Sequence, residues 1–460
     1  MIDNRINRRL FAISISIIMI ACIWLPNSLF ERDGYSYAEE GVMPAMTAPC
    51  SILMDMGTGK VLYEQKMNTS MHPTSLTMMM TALIVIENMD LSAVVKSDGA
   101  DIGELIDPID LVKNEEITVA DLLYGMLLTT SNEAANTLAI ALDGSIEAFA
   151  ERMNARAALI GMTESYFTNP SGVYVDGHYS TAYDLALLAQ TAMRNETFRG
   201  IVGTIDYSIA KTNKSGARQI RNNNGLLYAA DREIVIQGNP RSMLYEGTTG
   251  IIQGHSSDAG NCIVASAQRG GLELISVVLK AKERLVFDDA VELFEYGFDN
   301  FVLVQAFNEA ENLATVRVTK GTIKKIDAVP EQLITAIMPV GSTAEDLIID
   351  IVPVKTVGAP VTKGDALGTV TVFYNDEQVG MTNLVAVDSI PVAKLAEIFS
   401  ASGSVLAVIL KIVIGIVILL VLWGVITVIR GERKKRGRKA GKFYGVDYSS
   451  KEIRRIKRLK

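Results

Sequence analysis

Histidine and cysteine are scarce, with three of each in 460 residues. His72, His178 and His255 are scattered, and none has the HExxH or CxxC company that holds zinc. Cys22, Cys50 and Cys262 are too few for a disulfide framework, although an exported domain could pair Cys50 with Cys262. Neither a phosphate-cradling glycine loop nor an internal repeat is present. No metal or other cofactor is therefore expected. With 49% hydrophobic and 21% charged residues, most of the chain should fold. Its length suits two or three domains.

Charge is missing altogether from Ile412 to Ile429, a run of 18 residues. Val405 to Leu410 lengthen it if Lys411 snorkels, which gives the length needed to cross a bilayer. A transmembrane helix is expected over 404–429. The following tail, 430–460, has 14 Lys and Arg against 3 Asp and Glu, a net of +11. The whole chain carries −8, so residues 1–429 carry −19. Positive flanks stay in the cytoplasm, which puts the tail inside and the acidic bulk outside. The tail reads as a topology signal drawn to anionic lipid, and no nucleic acid is expected. At the other end, Arg5, Arg8 and Arg9 precede the apolar run Leu10 to Leu25. Residues 1–30 read as a signal peptide or N-terminal anchor, and 31–47 as a linker.

Between these ends the patterning alternates. Ser51 to Glu64 reads as a hairpin turning at Gly57-Thr58-Gly59. Pro73 opens a buried helix over Leu76 to Ile86, with Ser75 at its start. Further helices are expected at Val119–Leu128, Glu133–Leu142, Ile146–Ile160 stopped by Gly161, and Thr181–Arg194 capped by Ser180. Asn261–Gln268 and Leu272–Ala281 flank a hairpin turn at Arg269-Gly270-Gly271, and a helix at Leu285–Phe298 closes the domain. Helices between early and late strands predict an α+β domain over 48–300 with an antiparallel sheet. From 301 to 395, short runs at Ala314–Thr319, Leu333–Met338, Leu347–Val352 and Thr369–Tyr374 predict a small β-sandwich.

Six ordered stretches carry a resemblance. They are Met54 to Tyr63, His72-Pro73-Thr74-Ser75-Leu76-Thr77 with Met80 to Leu83, Asp121 to Gly125, His178 to Ala186, Asn222 to Leu227, and Ala259 to Ala267. Over residues 45–395 the chain resembles the serine D-alanyl-D-alanine carboxypeptidases, the low-molecular-mass penicillin-binding proteins of bacterial cell walls. The resemblance implies a β-lactamase-like fold in the first domain. It also implies an outward-facing location on the bacterial membrane and a peptidoglycan stem peptide as ligand. The family works through S-x-x-K, S-x-N and K-T-G. A serine hydroxyl needs a base beside it, and side chains at i and i+3 of a helix share one face. The K-T-G lysine and threonine bind the substrate carboxylate, and their strand helps form the oxyanion hole.

Here the first motif reads Ser75-Leu76-Thr77-Met78, with the nucleophile position kept and the lysine base replaced by a thioether that cannot take a proton. The second reads Thr130-Ser131-Asn132, so Thr130 and Asn132 keep its polar groups. For the third, Thr248-Thr249-Gly250 is an alternative, but the family's spacing favours Ile252-Gln253-Gly254, followed by His255 as a further candidate for the cleft. Either register lacks the lysine. Ser208-Ile209-Ala210-Lys211 and Lys214-Ser215-Gly216 spell literal motifs in a polar, turn-like stretch and are set aside as chance. Losing a positioned base costs roughly 10²–10⁴ in rate, and losing a charge-assisted contact about 1.5–3 kcal/mol. The expectation is a degenerate member that binds or scaffolds, with a weakened hold on the stem peptide and poor acylation by β-lactams. Its cell-wall or division partners are not named by the sequence. The rival is an active serine carboxypeptidase trimming stem peptides with an atypical base, such as a histidine.

Overall fold

The computed structural model describes residues 43–97, 109–282, 284–394 and 405–440. The expected leader, most of the linker and the end of the tail lie outside the described residues. The chain divides into two compact units, one running to Ala306 with Thr335–Leu347, the other comprising Phe307–Ile334 and the residues from Ile348.

The first unit is built on a five-stranded antiparallel sheet in the order Val61–Gln65, Cys50–Asp55, Leu272–Ala281, Gly260–Arg269, Thr248–Ser256. The early hairpin and the two late strands are thus brought together, as the patterning predicts, with Thr248–Ser256 at the edge. Alternation splits the core between the two faces of the sheet. Cys50, Ile52, Met54, Ile252, Cys262 and Val264 join one cluster with Met78, Met79, Met80 and the helical residues that follow. Leu53, Ile263, Ala265 and Leu274 join another with Val286, Phe294 and the rest of helix Leu285–Asn300. The helices between them start and stop where side chains satisfy free backbone groups. Thr118 Oγ1 accepts from Asp121 N–H, and Ser131 and Ser145 hydroxyls accept from Ala134 and Ala148 N–H. Gly161, at φ +92°, ends Ile146–Ile160. For helix Ala182–Met193 the cap is Thr181, which accepts from Asp184 N–H, and not Ser180. Ser180 is drawn away by a hydrogen bond to Ser165 Oγ at 2.8 Å.

The second unit is β-rich, and its six strands are hydrogen-bonded in one sheet. The order is Ile348–Pro353, Ala366–Tyr374, Glu377–Ala386, Lys325–Pro330, Ala314–Thr319, Thr356–Gly358. Asn375 and Asp376, both at positive φ, make the tight turn between its two longest strands. Strand Thr335–Pro339 instead pairs with Phe301–Gln305 within the first unit. Helix Val405–Ala440 contains a 20-residue stretch, Ile409–Val428, of mean hydropathy 3.0 with none of it buried, long and apolar enough to cross a membrane.

Cys50 and Cys262 are both free and buried. They lie on strands separated by Leu272–Ala281. Two strand spacings are about 9.6 Å, beyond disulfide reach. Mass spectrometry after alkylation should therefore find both thiols modified once the chain is unfolded, without reductant, and both protected in the native fold. A Cys50–Cys262 cross-link would contradict the register.

Candidate active site

Pro73 leads into a 3₁₀ turn, Thr74–Thr77, that continues as helix Met78–Asn88. Thr74 sits at φ +51°, a left-handed conformation that a threonine adopts only when its surroundings impose it. Two neighbours do so. At Gly172, φ +78°, an added Cβ would lie 1.8 Å from Thr74 O and 2.9 Å from Thr77 Oγ1. At Gly254 it would lie 2.2 Å from Thr74 Oγ1 and 3.1 Å from Ser75 N. Two backbones therefore press on the turn where only glycine fits.

Ser75 is half-buried, and among the described residues its hydroxyl makes no hydrogen bond. Met78, fully buried, belongs to the apolar cluster with Met79 and Met80. Helix Asn132–Asp143 packs on helix Met78–Asn88, and the edge strand packs on the 3₁₀ turn. The three motif segments are thus brought into one neighbourhood. Thr130, at φ +59°, is the joint between two helices, and its hydroxyl donates to Thr129 O at 2.6 Å. Ser131 is spent as a helix cap. Asn132, half-buried, opens the helix, and among the described residues its side chain makes no hydrogen bond.

On the edge strand, Ile252 is 1% exposed and packs in the core, Gln253 is half-buried, and His255 is exposed. They pair with Val264, Ile263 and Asn261, and Gly254 pairs with Cys262. The alternative triplet is held elsewhere. Thr249 Oγ1 is 2.6 Å from Ser266 Oγ and donates to Glu273 at 3.3 Å, and Glu273 is paired with Arg199 at 2.7 Å. Gly254, and not Gly250, is the glycine against Ser75. The literal motifs are also elsewhere. Ser208 accepts from Gln219 Nε2 at 2.9 Å on the hairpin Asp206–Arg221, and Lys211 and Lys214 are exposed near its tip.

None of the three histidines bonds Ser75 Oγ among the described residues. His72 Nδ1 accepts from Thr74 N–H at 3.2 Å, and burial pushes its pKa down against the pull of Asp258. His178 is buried, with Nε2 3.0 Å from Thr77 Oγ1 and Nδ1 3.1 Å from Thr168 Oγ1. Burial, aided by His72, pushes its pKa down to about 3. It is a neutral strut joining the turn to the loop that follows Thr168. Asn169 braces that loop by accepting from Gly172 N–H at 2.7 Å. This buttress is the feature sequence reasoning missed. Its signal was present in Asn169-Pro170-Ser171-Gly172, a run of turn formers upstream of His178.

His178 gives the fold a pH dependence of known sign. The unfolded chain takes up its proton near 6.5 and the folded chain near 3. Its contribution to stability is full above 6.5 and is lost as pH falls. At ~1.4 kcal/mol per pH unit, about 2 kcal/mol is gone by pH 5. Denaturant titrations at pH 7.5 and 5 should show the parent losing about 2 kcal/mol more than His178→Gln. Equal losses would contradict the buried neutral imidazole.

Comparison with known proteins agrees with this geometry. Residues 38–283 match the family model described as D-alanyl-D-alanine carboxypeptidase, and residues 301–391 match that of the penicillin-binding protein 5 C-terminal domain. The chain is 28% identical over 361 residues to D-alanyl-D-alanine carboxypeptidase DacF of Bacillus subtilis, covering 76% of this chain and 87% of the relative. It is 30% identical over 275 residues to DacB2 of Mycobacterium tuberculosis, covering 57% and 88%. Penicillin-binding protein 5 of Haemophilus influenzae superposes with a TM-score of 0.61 at 24% identity, covering 76% of this chain and all of that one. The chain therefore belongs to the D-alanyl-D-alanine carboxypeptidase family of penicillin-binding proteins, the fold of cell-wall metabolism.

Proposed function

We propose that this protein is a catalytically silent, membrane-anchored member of its family that binds peptidoglycan stem peptides without cleaving them and serves as a cell-wall scaffold or sensor. The observation that carries the reading is the character of the two positions where the family's lysines stand. Met78 and Ile252 are both buried in an apolar core, so neither a proton acceptor nor a cation is available there at neutral pH. Each histidine is either committed to another partner or exposed. Support for retained binding comes from Gly254, which still lies against Ser75 N, so a backbone of the kind that cradles a peptide carbonyl is preserved. Asn132 and Gln253 remain half-buried and polar.

In this reading helix Val405–Ala440 crosses the bacterial membrane and residues 430–460 lie in the cytoplasm, because the +11 tail follows the apolar stretch directly. The acidic head faces the wall, where cell-wall or division proteins would meet it.

The test is a stem peptide ending in D-alanyl-D-alanine, presented to the full chain in detergent. Binding is expected, with D-alanine release no greater than that of Ser75→Ala. The double variant Met78→Lys/Ile252→Lys, checked for folding by thermal melt, should raise release by ~10² or more over the parent. Release by the parent that is abolished in Ser75→Ala would end the proposal.

A further inference from the structure

A small recess lies next to the nucleophile turn, beside His72. It is a cavity of about 60 Å³ lined by Met71, His72, Tyr174, Asp258, Ala259, Cys262 and Lys280. Neither Ser75 nor any of the residues at the motif positions lines it. A water needs about 10–15 Å³ by this measure, so the recess has room for roughly four to six waters.

Three of its polar groups, on His72, Asp258 and Lys280, keep bonding capacity. His72 Nδ1 accepts from Thr74 N–H, so the neutral ring carries its proton on Nε2. Burial keeps that ring neutral. Nε2 is buried and has no hydrogen-bond partner, and a buried donor left unmatched is costly enough to need an explanation. Among the described residues, the Lys280 ammonium and the Asp258 carboxylate form no ion pair with each other or with another side chain. Among the described residues, Asp258 accepts from the neighbouring Ser257 hydroxyl alone, at 3.3 Å. The Tyr174 ring lies tilted at 43° against the His72 ring, centroids 5.0 Å apart, and forms one wall, and its hydroxyl is engaged by Asp176. The remaining walls, Met71, Ala259 and Cys262, are apolar or nearly so.

A plain anion would satisfy Lys280 and His72 but meet the like charge of Asp258. A plain cation would satisfy Asp258 but leave the other two unmatched. A molecule with both charges on adjacent carbons satisfies all three. We infer that this recess is a binding site for a small zwitterionic α-amino acid, its carboxylate set between Lys280 and the His72 Nε2–H and its ammonium on Asp258. Glycine, with five non-hydrogen atoms, and alanine, with six, are the smallest molecules of this kind. The site is separate from the cleft described above and does not depend on whether that cleft is silent. Because His72 also holds Thr74 N–H, occupancy would report directly on the Ser75 turn.

The experiment is calorimetric titration of the full chain in detergent with glycine and with D- and L-alanine, beside acetate and methylamine. Saturable binding of the amino acids is expected, with acetate and methylamine at least tenfold weaker. Asp258→Asn and Lys280→Gln, both at exposed side chains, should each weaken amino-acid binding at least tenfold with the thermal melt unchanged. The absence of saturable binding, or acetate binding as tightly as alanine, would overturn the assignment. Loss of binding in Asn132→Ala with retention in the Asp258 and Lys280 variants would place the ligand in the carboxypeptidase cleft and overturn it equally.

Discussion

The close approach of the edge strand Thr248–Ser256 to the turn Thr74–Thr77 governs the rest of the site. It is tolerated because position 254 has no side chain, and the loop behind the turn is admitted by Gly172 on the same terms. Pinned from both sides, Thr74 takes a left-handed conformation, and Ser75 follows at the point where strand, turn and helix meet. Dense packing transmits such constraints, so the serine's position is set by backbones and not by the side chains that chemistry would use. The frame can therefore outlast the reaction.

What the substitutions did to the energetics follows from burial. A lysine at position 78 or 252 would have to be charged inside a packed interior, where desolvation costs several kcal/mol and is recovered only by well-placed partners. Methionine and isoleucine there are simply core. Exchanging a buried ionic site for apolar side chains of similar volume is often neutral or stabilising, which is the usual relation between active-site strain and stability. In the proposed reading, an intact fold around an unreactive serine is thus a low-energy outcome. It is compatible with the neutral His178 strut, which stiffens the same turn without offering it a base.

Much of this was legible from residue patterns because the elements are locally consistent. Gly161 stops its helix, Pro73 opens one, and Arg269-Gly270-Gly271 turns a hairpin, each for a backbone reason readable in sequence. The order of the motifs foretold which segments would meet. The misses were of two kinds. Thr181 displaced Ser180 as a cap because Ser165, fifteen residues upstream, engages Ser180; a tertiary partner outbid a local one. The strand Thr335–Pro339 pairs with Phe301–Gln305 in the first unit, a choice of partner that alternation alone does not encode. The roles of the histidines were likewise beyond sequence, because tautomer and accessibility depend on neighbours distant in the chain. His178 meets Thr77 across 101 positions.

The proposed silence of the site depends on the reactivity of one hydroxyl. Intact-protein mass spectrometry of the full chain incubated with a β-lactam measures it directly, because acylation of Ser75 adds the mass of the antibiotic. The prediction is an unshifted mass over hours, indistinguishable from that of Ser75→Ala. A stoichiometric adduct on the parent chain, mapped to Ser75 and absent from the alanine variant, would contradict it.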